Sequence, residues 1–234
     1  MRLSIIRHGD PDYTTDTLTE IGQREAQALS ERLANERLTH IYSSPLGRAR
    51  ETMSYTATIT KLIPLIEEWM RELTWWIPWE TPRGRIAAWD LHGEIIRGQE
   101  RYPGHDDWHA LEYFQNPVFR AEYVSLCEKS DDLLRRHGYD RTGGRYRCAR
   151  PNHDHIAVFC HGGFGLTWLA HLLALPLPLV WSGFWLPPSS VTTVLFDERS
   201  PEWAVPRCIG LGDVSHLYAA GLPVQARGII ANFD

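Results

Sequence analysis

The chain has 234 residues, 43% of them hydrophobic and 23% charged, with a mean hydropathy of −0.32. A chain of this size buries roughly 70–75% of its unfolded surface without disulfides, and its composition excludes both a disordered segment and a membrane protein. Acidic residues outnumber basic ones by 29 to 24, a formal charge of −5, so no overall positive field favours nucleic acid or an anionic membrane.

Residues 2–6 read as a short apolar strand that ends at Arg7-His8-Gly9. A helix follows from Thr19, whose hydroxyl suits an N-cap, with Ala26, Leu29, Leu33 and Ala34 on one face. Thr39 to Ser43 is a second strand, and Pro45 opens a helix in which Arg48 and Thr52 lie one turn apart. After a third short apolar segment at Ile63 to Ile66 the pattern breaks. From Trp69 to Trp108 the tryptophans Trp75, Trp76, Trp79 and Trp89 are scattered without period among prolines and glycines, as in an insertion of short helices and loops. These rings either wall a substrate site or form the insertion's own small core. A helix from about Pro117 to His137 and a hairpin from Tyr139 to Cys148, turning at Gly143-Gly144, complete the region.

Ile156 to Cys160 is a strongly apolar strand leading into His161-Gly162-Gly163. A helix follows from Leu166 to Leu173, and two strands come later, at Val191 to Phe196 and Val205 to Leu211. The order of elements predicts one three-layer α/β/α domain over residues 1–234, with a mostly helical, cap-like insertion at about 69–150. Both histidine-glycine loops follow a strand, at the carboxyl ends where open α/β sheets bind ligands. The flanking glycines let backbone approach a ligand.

Four segments in order carry a resemblance. Arg7-His8-Gly9, Leu18-Thr19-Glu20 with Gly22, the run Ser44-Pro45-Leu46-Gly47-Arg48-Ala49 with Thr52, and Val158 to Gly163 resemble the motifs of the histidine phosphatase (phosphoglycerate mutase-like) superfamily. Asp213-Val214-Ser215-His216-Leu217 resembles a C-terminal element of the same family. The resemblance implies a phosphoglycerate mutase-like fold and hydrolysis of a small phosphorylated metabolite through a phosphohistidine. By it, His8 is the nucleophile, Arg7, Arg48 and His161 hold the phosphoryl oxygens, and Glu72 is the general acid, with no metal and no cofactor. Met70-Arg71-Glu72 is the nearest match to the family's acid, but Leu73-Thr74-Trp75-Trp76 replaces the usual continuation, leaving Glu67 and Glu68 as alternatives. Mutase-type transfer and a phospho-ligand binding protein on the same fold are the competing functions.

Other clusters read as ordinary surface. Of the 24 basic residues only Lys61 and Lys129 are lysines, which leaves 22 arginines. Arg135, Arg136, Arg141, Arg145, Arg147 and Arg150 form a basic group that is a solvated face unless the hairpin leans over His8. His92, His105 and His109 lack a metal-ligand pattern, and His153 and His155 read as loop residues. Cys127, Cys148, Cys160 and Cys208 have no CxxC spacing and no signal-peptide context, pointing to reduced thiols in a cytoplasmic protein with no membrane or nucleic-acid partner.

Overall fold

The computed structural model describes residues 1–229. The first strand, β1 (Arg2–Arg7), is followed by a two-residue ribbon of β2 (Pro11–Asp12) and β3 (Thr17–Leu18), then α1 (Glu20–Ala34), β4 (His40–Ser43), α2 (Gly47–Thr60) and β5 (Leu65–Ile66). A small hairpin, β6 (Trp76–Pro78) and β7 (Arg85–Ala87), precedes the five-residue α3 (Gly93–Arg97). Then come α4 (Pro117–Arg136), β8 (Tyr139–Thr142), β9 (Arg145–Cys148), β10 (His155–Cys160), α5 (Gly162–Leu173) and α6 (Leu177–Gly183). The described chain closes with β11 (Val191–Asp197), β12 (Trp203–Asp213) and α7 (Ser215–Ala219).

Eight strands form one mixed sheet in the order β5-β4-β10-β1-β11-β12-β9-β8. β5, β4, β10 and β1 run parallel, and the pairings from β1 through β11, β12 and β9 to β8 are antiparallel. The period-two alternation of the central strands explains why helices cover both faces. In β1 and β10, Leu3, Ile5, Ile156, Val158 and Cys160 point into a core closed by α4 and α5, including Leu133, Phe164 and Trp168. Ile6, Ala157 and Phe159 point the other way, against Leu29 and Leu33 of α1 and Met53 of α2. Thr19 caps α1 as expected, its hydroxyl accepting the Gly22 amide.

The stretch 69–150 is not uniform. Between Trp69 and Asn116 it holds the β6–β7 hairpin, short 3-10 turns and α3, because prolines and glycines interrupt every longer helix. Its helical content is concentrated in α4, and β8 and β9 extend the edge of the main sheet instead of covering the site. None of the arginines between 135 and 150 reaches the cleft described below. Arg135 pairs with Asp132 and Asp140, Arg136 with Glu67, Arg141 caps the His171 carbonyl, and Arg145 lies 3.5 Å over the Trp203 ring.

The tryptophans divide between a buried core and a cleft. Trp75 and Trp108 are 0% and 2% exposed and stack on each other inside a second core with Phe114, Phe119 and Trp181. Trp76 and Trp89 face a cleft. One expectation is corrected: His155 is no loop residue but opens β10, buried, where its ring bonds Ser4 Oγ at 2.9 Å and the Glu36 carbonyl at 2.9 Å. A strand start at Ile156 misses it because histidine adds no apolar signal to the pattern.

Candidate active site

His8 follows β1 and His161 follows the adjacent parallel strand β10, so the sheet itself brings the two rings to 5.2 Å. Both are buried. His8 Nδ1–H donates to its neighbour's carbonyl, Gly9 O, at 2.7 Å. Its other nitrogen, Nε2, accepts from Arg48 Nε at 3.1 Å, so that nitrogen carries a lone pair. Burial, then the charges of Arg7 and Arg48, hold the His8 pKa well below the usual histidine value and keep the ring neutral. Burial, His8 and the same two arginines do likewise for His161.

The helices aim the arginines. α2 starts at Gly47, two residues later than Pro45, and its first turn sets Arg48 beside His8, with its guanidinium also paired to Asp16. One turn on, Thr52 Oγ1 accepts the Gly9 amide at 3.0 Å. Arg7 Nη1 donates to Leu186 O at 2.6 Å and to Arg227 O at 3.1 Å. Among the described residues, Arg7 Nε and His161 Nδ1 are buried with no hydrogen-bond partner, although buried polar atoms are nearly always satisfied. A side chain at Gly162 would lie 3.5 Å from Arg7 Nε, so that donor sits against the first turn of α5. His161 Nε2 pairs with Ser44 Oγ at 2.7 Å.

Of the three candidate acids, only Glu72 lies in the cleft. Its carboxylate accepts the amides of Gly163 at 3.2 Å, Phe164 at 2.8 Å and Leu73 at 3.0 Å. Burial raises its pKa above the carboxylate range even though those amides and Arg48 pull it down. Glu67 is held by Arg136 and Trp69, and Glu68 by the exposed Arg71. His216 bonds Ser189 Oγ at 3.1 Å, and the Ser189 amide bonds the His8 carbonyl, so His216 supports the pocket without entering it.

Arg7, Arg48 and Glu72 stand at the base of a cleft of about 930 Å³. Its walls come from the β6–β7 hairpin, with Trp76, Arg83 and Arg85, and from the turn carrying Trp89 and Asp90. The segment around α6 and residues near Arg227 supply the far side. Sequence reasoning missed several groups here. Asp10, 2% exposed, is gripped by Arg227 at 2.6 and 3.1 Å, and its amide donates to Glu25 Oε2 at 2.8 Å. Asp16 and Asp90 were also missed. Only the adjacency of Asp10 to Arg7-His8-Gly9 gave any signal for these residues.

His92, His105 and His109 do not converge. Among the described residues, the histidines and carboxylate whose ligand atoms converge are His40, His137 and Asp154, near the amino ends of β4 and β10, opposite the cleft.

The chain matches the model of the histidine phosphatase superfamily (branch 1) over residues 3–208. It belongs to that superfamily. Over 82 residues it is 29% identical to a probable phosphoglycerate mutase of Photorhabdus laumondii and 32% to one of Yersinia pestis, a match covering 31% of this chain and 38% of each relative. Among solved structures it resembles a phosphoserine phosphatase mutant from Entamoeba histolytica in complex with phosphoserine, with a TM-score of 0.61 and 20% identity over 92% of this chain and 98% of that one. It also resembles a mycobacterial glucosyl-3-phosphoglycerate phosphatase, with a TM-score of 0.57 and 19% identity over 90% and 98% of the two chains. At these identities the likeness establishes the histidine phosphatase fold.

Proposed function

We propose that the protein is a phosphomonoester hydrolase that acts on a small phosphorylated metabolite through a phosphohistidine at His8. The observation that carries this reading is the neutral His8 ring, whose Nε2 lone pair accepts from Arg48 Nε and whose ring lies 5.2 Å from that of His161. A lone-pair nitrogen beside an arginine fits attack on phosphorus with the equatorial oxygens held.

In the first step the Nε2 lone pair forms the N–P bond as the ester P–O bond breaks, and protonated Glu72 gives its proton to the departing oxygen. In the second, water attacks phosphorus while ionised Glu72 takes its proton, the N–P bond breaks, and phosphate leaves with His8 and Glu72 restored. The elevated pKa of Glu72 supports the acid role. This scheme needs neither metal nor cofactor, and the free cysteines favour a cytoplasmic setting. Among the described residues no helix is long and apolar enough to cross a membrane.

A second reading, phosphoryl transfer to a product hydroxyl, is favoured by the names of the curated relatives. Mass spectrometry under non-acidic conditions after mixing with p-nitrophenyl phosphate, alongside phosphate release, tests the scheme. Wild type is expected to give an acid-labile phosphoryl adduct and turnover, and His8→Ala neither, with a fall of at least about 10³-fold in rate. Equal turnover in the two proteins sinks the proposal, and an adduct that passes to an added hydroxyl acceptor in preference to water selects the mutase reading. Folded wild type with neither adduct nor turnover across a panel of phosphomonoesters leaves a binding protein on this fold.

A further inference from the structure

Four charged groups that line the cleft are tied down by the fold. Arg7 is held by two carbonyls, Arg48 by Asp16, Glu72 by three amides and Arg227 by Asp10. Asp90, in the wall of the cleft, is an acidic group that is not. Among the described residues its carboxylate makes no hydrogen bond or ion pair, yet it lines the cleft within the field of both Arg7 and Glu72.

Its position is fixed. Asp90 ends the 3-10 turn Ala88–Asp90, and the preceding residue, Trp89, lies so flat on the start of α5 that a side-chain carbon at Gly163 would come within 2.5–2.7 Å of its ring. On the other side the backbone passes at Gly228, whose φ of +88° suits glycine and where a side-chain carbon would stand 3.8 Å from Asp90 Oδ1. The Asp90 side chain is exposed and opens onto the cleft. The same cleft presents the half-exposed Trp76 ring, with Arg85 4.6 Å over it, and Arg83 beside them.

We infer that Asp90, Trp89, Trp76 and the Arg83–Arg85 rim form a subsite for the organic part of the substrate, and that this part is a neutral polyhydroxylated group, as in a sugar or polyol phosphate. The inference rests on the hydrolase reading above and names the class of ester it acts on. An unpaired carboxylate repels a group that is only anionic, and the rim arginines repel one that is only cationic. Hydroxyls satisfy both, since they donate to Asp90 and accept from arginine. An indole face takes the apolar C–H side of such a group.

The test compares kcat/KM for a hexose phosphate, glycerol phosphate, phosphoethanolamine, 3-phosphoglycerate and p-nitrophenyl phosphate in wild type, Asp90→Asn and Asp90→Ala, with melting curves to establish folding. In wild type the hydroxylated esters are expected to lead phosphoethanolamine and 3-phosphoglycerate. The ratio of kcat/KM for hexose phosphate to that for p-nitrophenyl phosphate should fall about 10- to 100-fold in Asp90→Ala, chiefly through KM, and less in Asp90→Asn, which keeps an acceptor. Preference for the ammonium or the carboxylate ester, or a ratio unchanged by both variants, overturns the inference while leaving His8-dependent hydrolysis in place. Absence of any His8-dependent hydrolysis overturns both readings.

Discussion

Two histidines that ordinarily titrate near neutrality are both kept uncharged here by burial and by the same pair of arginines. In the proposed scheme the His8 lone pair therefore stays available well into the acid range, and the titration that limits turnover passes to Glu72. Glu72 sits above the usual carboxylate range, so its protonated form persists to higher pH than an exposed glutamate allows. Glu72→Gln should lower kcat for alkyl phosphates by about 10²- to 10⁴-fold, and by much less for p-nitrophenyl phosphate, whose leaving group needs no proton. It should also remove the fall in kcat on the alkaline side. Turnover of the two ester classes followed against pH checks this, and an equal loss for both would remove Glu72 from the acid role.

At the scale of elements, the start of α5 is the junction of the site. Its first amides hold Glu72, and its second residue, Gly163, accepts the Trp89 ring. Gly163→Ala should therefore push the turn carrying Trp89 and Asp90 outward, costing about 1–3 kcal/mol of stability and weakening substrate binding. Thermal melts and KM measure the two effects, and an unchanged KM would show that the turn has no part in binding.

The same junction marks where the sequence ran out. Strand periodicity and the Arg-His-Gly and Ser-Pro-Leu motifs located β1, β4, β10, His8, Arg48 and His161, because each signal is local. The helix after His161 was expected from Leu166, but α5 begins at Gly162. Three glycines among its first four residues have poor helix propensity, and tertiary contact with Glu72 and Trp89 overrides it. Glu72 was chosen over Glu67 and Glu68 by pattern alone. What separates them physically is burial against amides 91 and 92 residues away, which no local window contains. Asp90 and Arg227 were illegible for the same reason, and the β6–β7 hairpin was too short to show alternation.

Across the whole molecule, Glu25 links α1 to the loop after β1 and is fully buried with one oxygen unpartnered. Burial raises its pKa from 4.5 to about 7. A raised folded pKa means that below pH 4.5 the group is protonated whether folded or not, and its contribution to stability is fully present. As pH rises toward 7 the unfolded chain ionises first, and that contribution is lost, up to roughly 3 kcal/mol. The histidines lowered by burial act in the opposite sense, so the difference between wild type and Glu25→Gln isolates the effect. The variant should gain in relative melting temperature between pH 5 and pH 8, and parallel curves would show that Glu25 titrates normally.

The sheet order also has a consequence for synthesis. β1, which delivers His8, pairs only with β10 and β11, and its partner His155 lies 151 residues beyond Ser4. At about 5–20 residues per second the ribosome takes roughly 8–30 s to make that stretch. For that interval an apolar strand has emerged with neither sheet neighbour: Ile6 can already meet Leu29, Leu33 and Met53, but Leu3 and Ile5 lack the β10 and α5 side of their core, and the His8–His161 pair forms only after β10 has been translated.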